Sequence, residues 1–330
     1  MLSSKVRSVI ERANNENEAL NILTFPTHER YETQLCKTNH NFYSIYIDGG
    51  KNWNKQQTPI PENYNIFNYS KFPPHVDFDI ILVQSRMTHQ YEAAKRINSA
   101  IGVPIIVLEH TMPIPEMMND NIINRINQMV GNANIYITEY SKQAWGVSKG
   151  LVIPHGIDSD TFADKGEERK NQVLTVANDF INRDYCLNFS LWRQVIDDSI
   201  SHKLVGETDG LSEPAGSVQE LVDSYNECSV YFNTTKYSPI PTSLLEAMSC
   251  GCAVVSTDNC EIPEVIQNDY NGFLSNDPEE LKSYLRHLIS NPDKARKLGK
   301  NARDTVIEKF SENKFIDSWN TLFKTVKDIV

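Results

Sequence analysis

The sequence predicts an α/β fold made of two doubly wound domains, and three observations support this. Short runs rich in isoleucine and valine alternate with longer amphipathic segments, which is the pattern of parallel strands covered by helices. With 330 residues, 40% of them hydrophobic, the chain is long enough for two hydrophobic cores. A polar stretch with two glycines, residues 154–171, lies between the two series of strands and has no sustained periodicity.

The two series of apolar runs predict the strands of two sheets, with a domain boundary near Pro154. We therefore assign residues 1–153 to the first domain, 154–310 to the second and 311–330 to a terminal helix. The predicted strands of the first half are residues 21–25, 43–47, 78–84, 104–108 and 135–138. Those of the second half are residues 172–177, 203–206, 229–233 and 253–257, with short extended pieces at 151–153 and 273–274. The proline-containing residues 51–74 are predicted to form a long loop.

Helix boundaries are clear in the last third of the chain. A helix is predicted from Pro278 because Asp277 before it can cap the helix and Glu280 can complete a capping box. Asn291, which also precedes a proline, starts another helix in the same way. The last predicted helix begins after Ser311 and carries an apolar stripe, expected to pack back towards the first domain. The stripe consists of Phe315, Trp319, Leu322, Phe323 and Val326.

The composition argues against several classes of protein. No apolar run approaches the roughly 20 residues that span a bilayer, and residues 1–20 lack the apolar core of a secretory signal. The net charge of −11 and the pI near 5.3 disfavour a nucleic-acid binder, which needs clustered cations. The six cysteines have no metal-ligand spacing, so reduced and mostly buried thiols are expected. We therefore expect a cytoplasmic protein.

One basic segment leaves a membrane contact open. Residues 294–303 carry five cations on a predicted helix. Such a run is more often a solvated helix face than a docking patch. The alternative is a weak peripheral contact at the inner face of a membrane.

The stretch SPIPTSLLEAMSCG, residues 238–251, contains the clearest candidate site. Pro239 and Pro241 precede a good helical run that Gly251 can end, so a short helix is predicted to begin near Pro241. Since the helix follows a predicted strand, its free N–H groups are expected at the carboxyl edge of the second sheet, where they favour a phosphate. Glu246, about one turn in, is placed to accept hydrogen bonds from a ribose diol. A surface glutamate that stabilises the helix dipole is the other reading.

At this point the sequence resembles a known family. Residues 241–274, PTSLLEAMSCGCAVVSTDNCEIPEVIQNDYNGFL, are similar to the donor-binding region of retaining glycosyltransferases of the family-four type. The family pattern is E-G-F-G/P-x-x-x-x-E-A-M-A-x-G, followed by G-G-x-P-E and N-G. Residues 151–162, LVIPHGIDSDTF, resemble the inter-domain segment I-P-N-G-V-D-x-x-x-F. The resemblance implies the GT-B fold, in which two Rossmann-like domains face each other across a cleft.

The resemblance also implies roles for residues of the second domain. Glu246 takes the place of the second glutamate of the E-x7-E motif, which binds the donor ribose in the family. Ile240, Pro241 and Thr242 take the places of the loop whose backbone contacts the diphosphate and the sugar. Ser243, the next residue, is assigned to the same donor site.

Further cleft residues follow from the same resemblance. Arg183 falls where the family has a lysine that stabilises the leaving diphosphate, and Asn178 falls at the arginine of that pair. The loop around Glu207 is expected to contribute to base choice, with a solvated loop acid as the alternative. His110, after the strand 104–108, resembles a first-domain histidine that lines the cleft. Its alternative is a satisfied histidine at a strand end.

The sequence departs from the family pattern in three places. Ser238 occupies the first position of E-x7-E, so a carboxylate close to the transferred sugar is missing. Cys260 and Glu261 replace the two glycines of G-G-x-P-E, which makes a close backbone approach harder. The first predicted strand is followed by P-T-H-E-R and no Gly-Gly loop. We expect His28 or Arg30 to substitute as a clamp from the first domain.

The resulting hypothesis is a retaining, metal-independent glycosyltransferase without a cofactor. It would move a sugar from a nucleotide-diphosphate donor to a glycan, lipid-linked or small-molecule acceptor in glycan or surface polysaccharide synthesis. Asp77 and Asp79 have the spacing of a D-x-D metal motif but open a predicted strand, so no metal site is expected. Two alternatives stay open: a sugar-nucleotide epimerase of the same fold, which needs further acids or bases, and a non-catalytic nucleotide- or glycan-binding homologue.

Overall fold

Two parallel sheets form the framework of the computed structural model, which describes residues 19–46, 51–55, 58–73 and 75–329. The strands of the first sheet are β1 (Asn21–Thr24), β2 (Asn41–Tyr46), β3 (Tyr64–Asn68), β4 (Ile80–Val83), β5 (Ile105–Glu109), β6 (Ala133–Tyr136) and β7 (Leu151–Val152). Those of the second are β8 (Lys170–Val176), β9 (His202–Val205), β10 (Cys228–Asn233), β11 (Ala253–Ser256) and β12 (Gly272–Leu274). All nine predicted strands and both short extended pieces are present, with boundaries shifted by no more than two residues. The piece at 151–153, grouped with the second half in the prediction, is β7 of the first sheet. Residue 47, the predicted end of the second strand, lies outside the described residues.

One strand was not predicted. Strand β3 lies inside residues 51–74, so the prediction of a continuous loop there is wrong for Tyr64–Asn68. Its sequence, YNIFN, lacks the isoleucine- and valine-rich pattern of the other strands, because β3 lies at the edge of the sheet and pairs only with β2. Most of its residues are only half-buried, which removes the requirement for a long apolar run.

The helices cover both sheets. In the first half they are α1 (Glu29–Cys36), α2 (Gln90–Ile101), α3 (Asp120–Asn127) and α4 (Glu139–Ala144). In the second half they are α5 (Asp184–Leu187), α6 (Phe189–Val195), α7 (Val218–Glu227), α8 (Thr242–Ser249), α9 (Ile262–Val265), α10 (Pro278–Ser290), α11 (Pro292–Lys309) and α12 (Glu312–Lys327).

The predicted helix starts are present, but two of the predicted caps differ in detail. Asp277 accepts hydrogen bonds from the first turn of α10, as predicted. Glu280 completes no capping box, because its carboxylate accepts from Ser275 Oγ (2.7 Å) instead. Asn291 precedes α11 without a side-chain cap, so the proline after it and the buried face of the helix are sufficient to start this helix. Ser311 caps α12.

The strand order shows where ligands should bind. The first sheet has the order β3-β2-β1-β4-β5-β6-β7 and the second has the order β12-β11-β10-β8-β9. In doubly wound sheets ligands bind outside the carboxyl ends of the strands, at the point where the strand order reverses. That point lies between β1 and β4 in the first sheet and between β8 and β10 in the second. The predicted boundary near Pro154 falls between β7 and β8 and remains a prediction.

Helix α12 packs on the first half of the molecule through its apolar stripe. Trp319 is fully buried, and its Nε1 donates to Tyr31 Oη on α1 (3.1 Å). Phe315 lies edge-on to the same tyrosine ring, with the centroids 5.3 Å apart. Gly156 must be glycine here, because a Cβ would lie 2.6 Å from the Cβ of Phe315. Helix α12 therefore ties α1 to the segment between the two sheets.

The substitution Trp319→Ala is expected to destabilise the protein by about 3–5 kcal/mol, since it empties a fully buried site and leaves Tyr31 without its donor. The measurement is the midpoint of thermal unfolding. Lys324→Ala, an exposed position on the same helix, serves as the control and should leave the midpoint nearly unchanged. Equal midpoints for the two variants would show that α12 adds little to stability.

Candidate functional site

The carboxyl ends of both sheets border a common cleft, and contacts between the two halves cross it. Lys236, after β10, forms an ion pair with Glu116, after β5 (2.8 Å). Glu261, after β11, accepts a hydrogen bond from the backbone N–H of Tyr140 in α4 (3.0 Å). Both switch points of strand order therefore open towards the same space.

A cavity of about 550 Å³ lies between the two halves. Its walls come from α1, from residues 58–63, from residues 155–162 after β7, and from the first turns of α7 and α8. Arg30, Thr242 and Glu246 are among the lining residues. This volume is in the range of small-molecule binding sites. The cavity thus brings a predicted first-domain clamp together with two predicted donor-site residues.

Glu246 is a buried carboxylate on α8, with 4% of its surface exposed. Its Oε1 forms an ion pair with Arg30 Nη2 (2.8 Å), and its Oε2 accepts a hydrogen bond from Tyr225 Oη (3.0 Å). Burial raises the pKa of Glu246, and Arg30 and the tyrosine hydroxyl offset part of that rise. Each carboxylate oxygen keeps acceptor capacity for one more donor. The surface-glutamate reading is wrong, because this side chain is buried inside the cleft.

The loop before α8 is shaped by contacts from both halves. Pro241 is the N-cap and provides no side-chain hydrogen bond to the first turn. Ile240 is buried, and its backbone carbonyl accepts a hydrogen bond from the ring of His155 in the segment after β7. Ser243 is already engaged, because its Oγ accepts from Tyr231 Oη (2.9 Å). Thr242 lines the cavity, while Ser238 is half-buried.

Arg30 links the two halves at the cavity. Its guanidinium pairs with Glu246 and lies over the ring of Phe162, 5.0 Å from the centroid. Its side chain remains 25% exposed, so it has access to the cleft. A cation held in this way favours the ionised form of the buried carboxylate and is available to a diphosphate.

The loop after β1, residues 26–30, stands where the family has a Gly-Gly loop. It is held by a buried carboxylate that was not predicted from the sequence. Glu32 Oε2 accepts from the backbone N–H groups of Thr27 (3.2 Å) and His28 (3.1 Å). Its Oε1 accepts from Tyr64 Oη (2.6 Å) and Gln84 Nε2 (2.8 Å). These two backbone N–H groups are therefore occupied and are not free to bind a phosphate.

Three histidines and Tyr31 form a cluster at the floor of the cleft. The ring of His110 stacks on His28 (6.0 Å between centroids) and meets the edge of Tyr31 (4.6 Å), while His155 lies 5.6 Å from Tyr31. His110 Nε2 donates to Gln84 Oε1 (3.3 Å), which leaves its Nδ1 as an acceptor in the neutral ring.

Surrounding protein atoms keep these rings neutral. Burial lowers the pKa of His155 to about 3 and holds that of His110 well below its ordinary value. The pKa of His28 is lowered for the same reason, although its side chain faces the open cleft and water limits the effect. The cluster therefore offers uncharged hydrogen-bonding groups at neutral pH.

The neutral state of His155, a half-buried ring, predicts an acid-sensitive stability. Its pKa is about 3 in the folded chain and about 6.5 in the unfolded chain, so only the unfolded chain takes up this proton between those values. The free energy of unfolding therefore falls as the pH drops below 6.5. His155→Gln should lose less stability than the wild type between pH 7 and pH 5, by roughly 1–2 kcal/mol.

Thermal unfolding at pH 7, 6 and 5 measures this difference. The control is His75→Gln, which changes an exposed histidine before β4. The proposed origin of the acid sensitivity fails if His155→Gln follows the wild-type pH dependence.

The predicted diphosphate residues lie at the carboxyl end of β8. Arg183 is exposed at the N-cap of the short α5 and lies outside the lining of the cavity. The side chain of Asn178 already has a hydrogen-bond partner, since its Oδ1 accepts from the backbone N–H of Glu207 (2.9 Å). It joins the ends of β8 and β9, and the Glu207 side chain itself is exposed. These assignments remain predictions.

The turn after β11, where Cys260 and Glu261 replace the two glycines of the family motif, keeps a backbone conformation that favours glycine. Cys260 has a φ of +57°, in the left-handed region where side chains are strained. Its Sγ donates to Lys236 O (3.4 Å) and lies beside the backbone of Ser238. The turn after β11 is thereby held against the loop before α8. All six cysteines are free, and five of them are buried.

Several further expectations can be placed on the structure. Asp79 precedes β4, at the edge opposite the cleft, where its carboxylate accepts from Asn21 N (2.8 Å). Within the described ranges no group of three or more His, Cys, Asp or Glu side chains could hold a metal ion. In the basic segment, Lys294 pairs with Asp269, and Arg303 binds backbone carbonyls that include that of Phe162. Of the helices described, none has the length and apolar character to cross a bilayer.

Comparison with known proteins settles the family. An uncharacterized glycosyltransferase of Methanocaldococcus jannaschii, MJ1069, is 33% identical over 329 residues, covering 81% of this chain and 80% of the relative. The chain belongs to the glycosyl transferases group 1 family. The model of that family, described as "Glycosyl transferases group 1", matches residues 214–305, which include α8 and Glu246. This confirms the resemblance predicted from the motifs.

Solved structures of glycosyltransferases share the fold. Sucrose-phosphate synthase of Thermosynechococcus elongatus superposes with a TM-score of 0.73 at 12% identity, covering 94% of this chain and 100% of the other. HepE of Anabaena, in complex with UDP and glucose, superposes with a TM-score of 0.72 at 13% identity, covering 93% and 100%. The glycosyltransferase described here therefore has the GT-B fold, as predicted.

Several site residues escaped prediction. His155 stands where the inter-domain motif of the family has asparagine, and this departure is the one local signal for its role in the site. Glu32 and Tyr225 carry no local signal, because a carboxylate or a tyrosine on an amphipathic helix is ordinary until its partners on other elements are known. The ion pair of Arg30 with Glu246 also has no local signal in the sequence, since only the fold brings these two residues together.

Proposed function

We propose that this glycosyltransferase transfers a sugar from a nucleoside diphosphate donor to an acceptor hydroxyl with retention of anomeric configuration. The observation that carries the proposal is the buried carboxylate of Glu246, held between Arg30 and Tyr225 at the edge of an inter-domain cavity. A diol is the group that such a carboxylate accepts from best, and the donor ribose supplies one. UDP is the first choice of nucleotide, because related GT-B structures contain UDP or UDP-glucose.

In the proposed reaction the donor diphosphate lies along the first turn of α8. The bond between the anomeric carbon and the diphosphate breaks, and the acceptor oxygen bonds to that carbon on the same face. Negative charge grows on the leaving diphosphate, where the N–H groups of α8 and the cations Arg183 and Arg30 stabilise it. The acceptor proton passes to the leaving phosphate oxygen. The neutral histidine cluster, including His28 and His110, provides hydrogen bonds to the transferred sugar.

The test has two stages. Thermal unfolding with millimolar UDP, GDP, ADP, CMP or TDP identifies the base, since a nucleotide at 100 times its Kd adds roughly 2.7 kcal/mol. The protein is then incubated with sugar nucleotides of that base and a panel of glycan, lipid-linked and small-molecule acceptors, with and without EDTA. Proton NMR of the product should show retained configuration and an EDTA-insensitive rate. An inverted product would overturn the proposed stereochemistry.

A second candidate is a non-catalytic nucleotide-binding homologue, which Ser238 favours because it supplies no carboxylate near the transferred sugar. Nucleotide binding without donor consumption by any acceptor in the panel would support this candidate over transfer.

A further inference from the structure

A buried ion pair connects the carboxyl ends of β4 and β5. Arg86, three residues after β4, and Glu109, the last residue of β5, are 3% and 1% exposed, and Arg86 Nε donates to Glu109 Oε2 (2.8 Å). Neither residue lines the cavity between the two halves. Taking two charges out of water is costly, and a buried ion pair is often no more stabilising than apolar side chains of similar volume. Stability alone is therefore a poor explanation for this pair.

The carboxylate of Glu109 fixes the backbone on both sides of His110. Its Oε1 accepts from the backbone N–H (3.1 Å) and from the hydroxyl (2.6 Å) of Thr111. The carbonyl of Thr111 accepts in turn from the indole Nε1 of Trp145 (3.0 Å). Residues 109 and 111 are thus each tied down by side-chain contacts, and the backbone of His110 between them has little freedom to move.

Arg86 is itself held from several sides. Its guanidinium lies over the rings of Trp145 (4.7 Å to the centroid) and Tyr136 (5.6 Å). Its Nη1 donates to Asn127 Oδ1 (3.1 Å), and the amide nitrogen of Asn127 donates to the Trp145 carbonyl (2.6 Å). The cation that fixes Glu109 is therefore anchored to β6, α3 and the end of α4.

The segment after β4 holds the ring of His110 as well as its backbone. Gln84 Oε1 accepts from His110 Nε2 (3.3 Å), and Arg86 lies two residues further along the same segment. The imidazole is therefore presented in one orientation. Orientation matters for a group that contacts a reacting sugar, since a displacement of about 1 Å can cost about 10²-fold in rate.

We propose that Arg86 and Glu109 are positioning residues of this transferase, which orient His110 towards the transferred sugar without touching the substrate. This inference rests on the proposed function, in which His110 forms a hydrogen bond to that sugar. The nucleotide is bound mainly by the second half of the chain, through Glu246. Loss of the ion pair therefore lowers kcat and leaves the KM of the donor nearly unchanged.

The test is a double-mutant cycle in kcat, measured as UDP release with the best donor and acceptor of the panel. Arg86→Met combined with Glu109→Leu replaces both charges by apolar groups and leaves no unpaired charge buried. This double variant should lower kcat about tenfold and change the donor KM less than twofold. In a His110→Ala background the same pair of substitutions should have almost no further effect, because it acts through a side chain that has been removed.

Thermal unfolding shows whether the double variant is folded, and Thr111→Val provides a milder change. It removes only the hydroxyl bond to Glu109, at a half-buried position, and should lower kcat about threefold at unchanged donor KM. This loss, too, should vanish in the His110→Ala background. The matched control is Arg296→Met with Asp293→Leu, which removes an exposed ion pair of α11 and should leave kcat unchanged.

The possible results separate this inference from the proposed function. If the wild type releases UDP and the folded double variant, or Thr111→Val in its place, keeps the wild-type kcat, the inference is wrong. It is also wrong if the loss of rate adds in full to that of His110→Ala, because the ion pair then acts on another part of the site. If the wild type consumes no donor of the panel, the proposed function itself fails, and this inference fails with it.

Discussion

Replacing Glu246 by Gln is expected to lower the affinity for UDP about 10- to 100-fold. The carboxylate accepts from Arg30 and Tyr225 and has acceptor capacity left for two ribose hydroxyls. An amide offers one acceptor oxygen, and its NH₂ group cannot pair with the guanidinium. Loss of one hydrogen bond to a charged group, at about 1.5–3 kcal/mol, corresponds to this change in affinity.

Isothermal titration with UDP at neutral pH measures the effect. Glu279→Gln is the control, because Glu279 is a strongly exposed carboxylate on α10, away from the cavity. The variant should remain folded, since Arg30 is partly exposed and becomes hydrated when its partner is removed. If the variant binds UDP within twofold of the wild-type affinity, Glu246 is not part of the donor site.

Arg183→Ala is expected to lower kcat at least tenfold, with a smaller change in KM. The residue follows β8 on the carboxyl side of the second sheet, near the point where the strand order reverses, and it is exposed to solvent. Charge on the leaving diphosphate grows in the transition state, so a cation directed at it acts mainly on kcat. Removing one preorganised donor to a developing anion typically costs about 10²–10³ in rate.

The measurement is release of UDP from the donor with the best acceptor of the panel. Arg183→Lys keeps the positive charge and should recover part of the rate. If the role of Arg183 were purely structural, keeping the charge would not recover the rate. Arg193→Ala, an exposed arginine on α6, is the control. Near-normal turnover of Arg183→Ala would exclude the assigned role.

The fold was largely predictable because its signals are local. The buried strands have nearly continuous apolar sequences, and caps such as Asp277 mark helix starts within four residues. Strand β3 was missed for a physical reason: as a half-buried edge strand it needs neither a long apolar run nor alternation. Local patterns therefore predict the interior of a sheet better than its edge.

The site was predictable only in part, because its key contacts join residues far apart in the sequence. The motif around Glu246 predicted a donor-site carboxylate, and P-T-H-E-R suggested Arg30 as a clamp. No local pattern pairs these two residues, nor does one show that Asn178 is used to join two strand ends. Cys260 illustrates the converse, since the fold imposes a glycine conformation on a residue whose side chain disfavours it.

The packing of α12 on α1 also has a consequence for how the chain matures during synthesis. Domains usually fold as units, beginning with the N-terminal one, while the chain leaves the ribosome. Here Tyr31 and its neighbours on α1 are covered by Phe315 and Trp319, which are made long after the first sheet is complete. A nascent first half therefore carries an uncovered apolar face until α12 emerges. Its final packing waits until α12 has been made, and during that interval chaperones have a surface to bind.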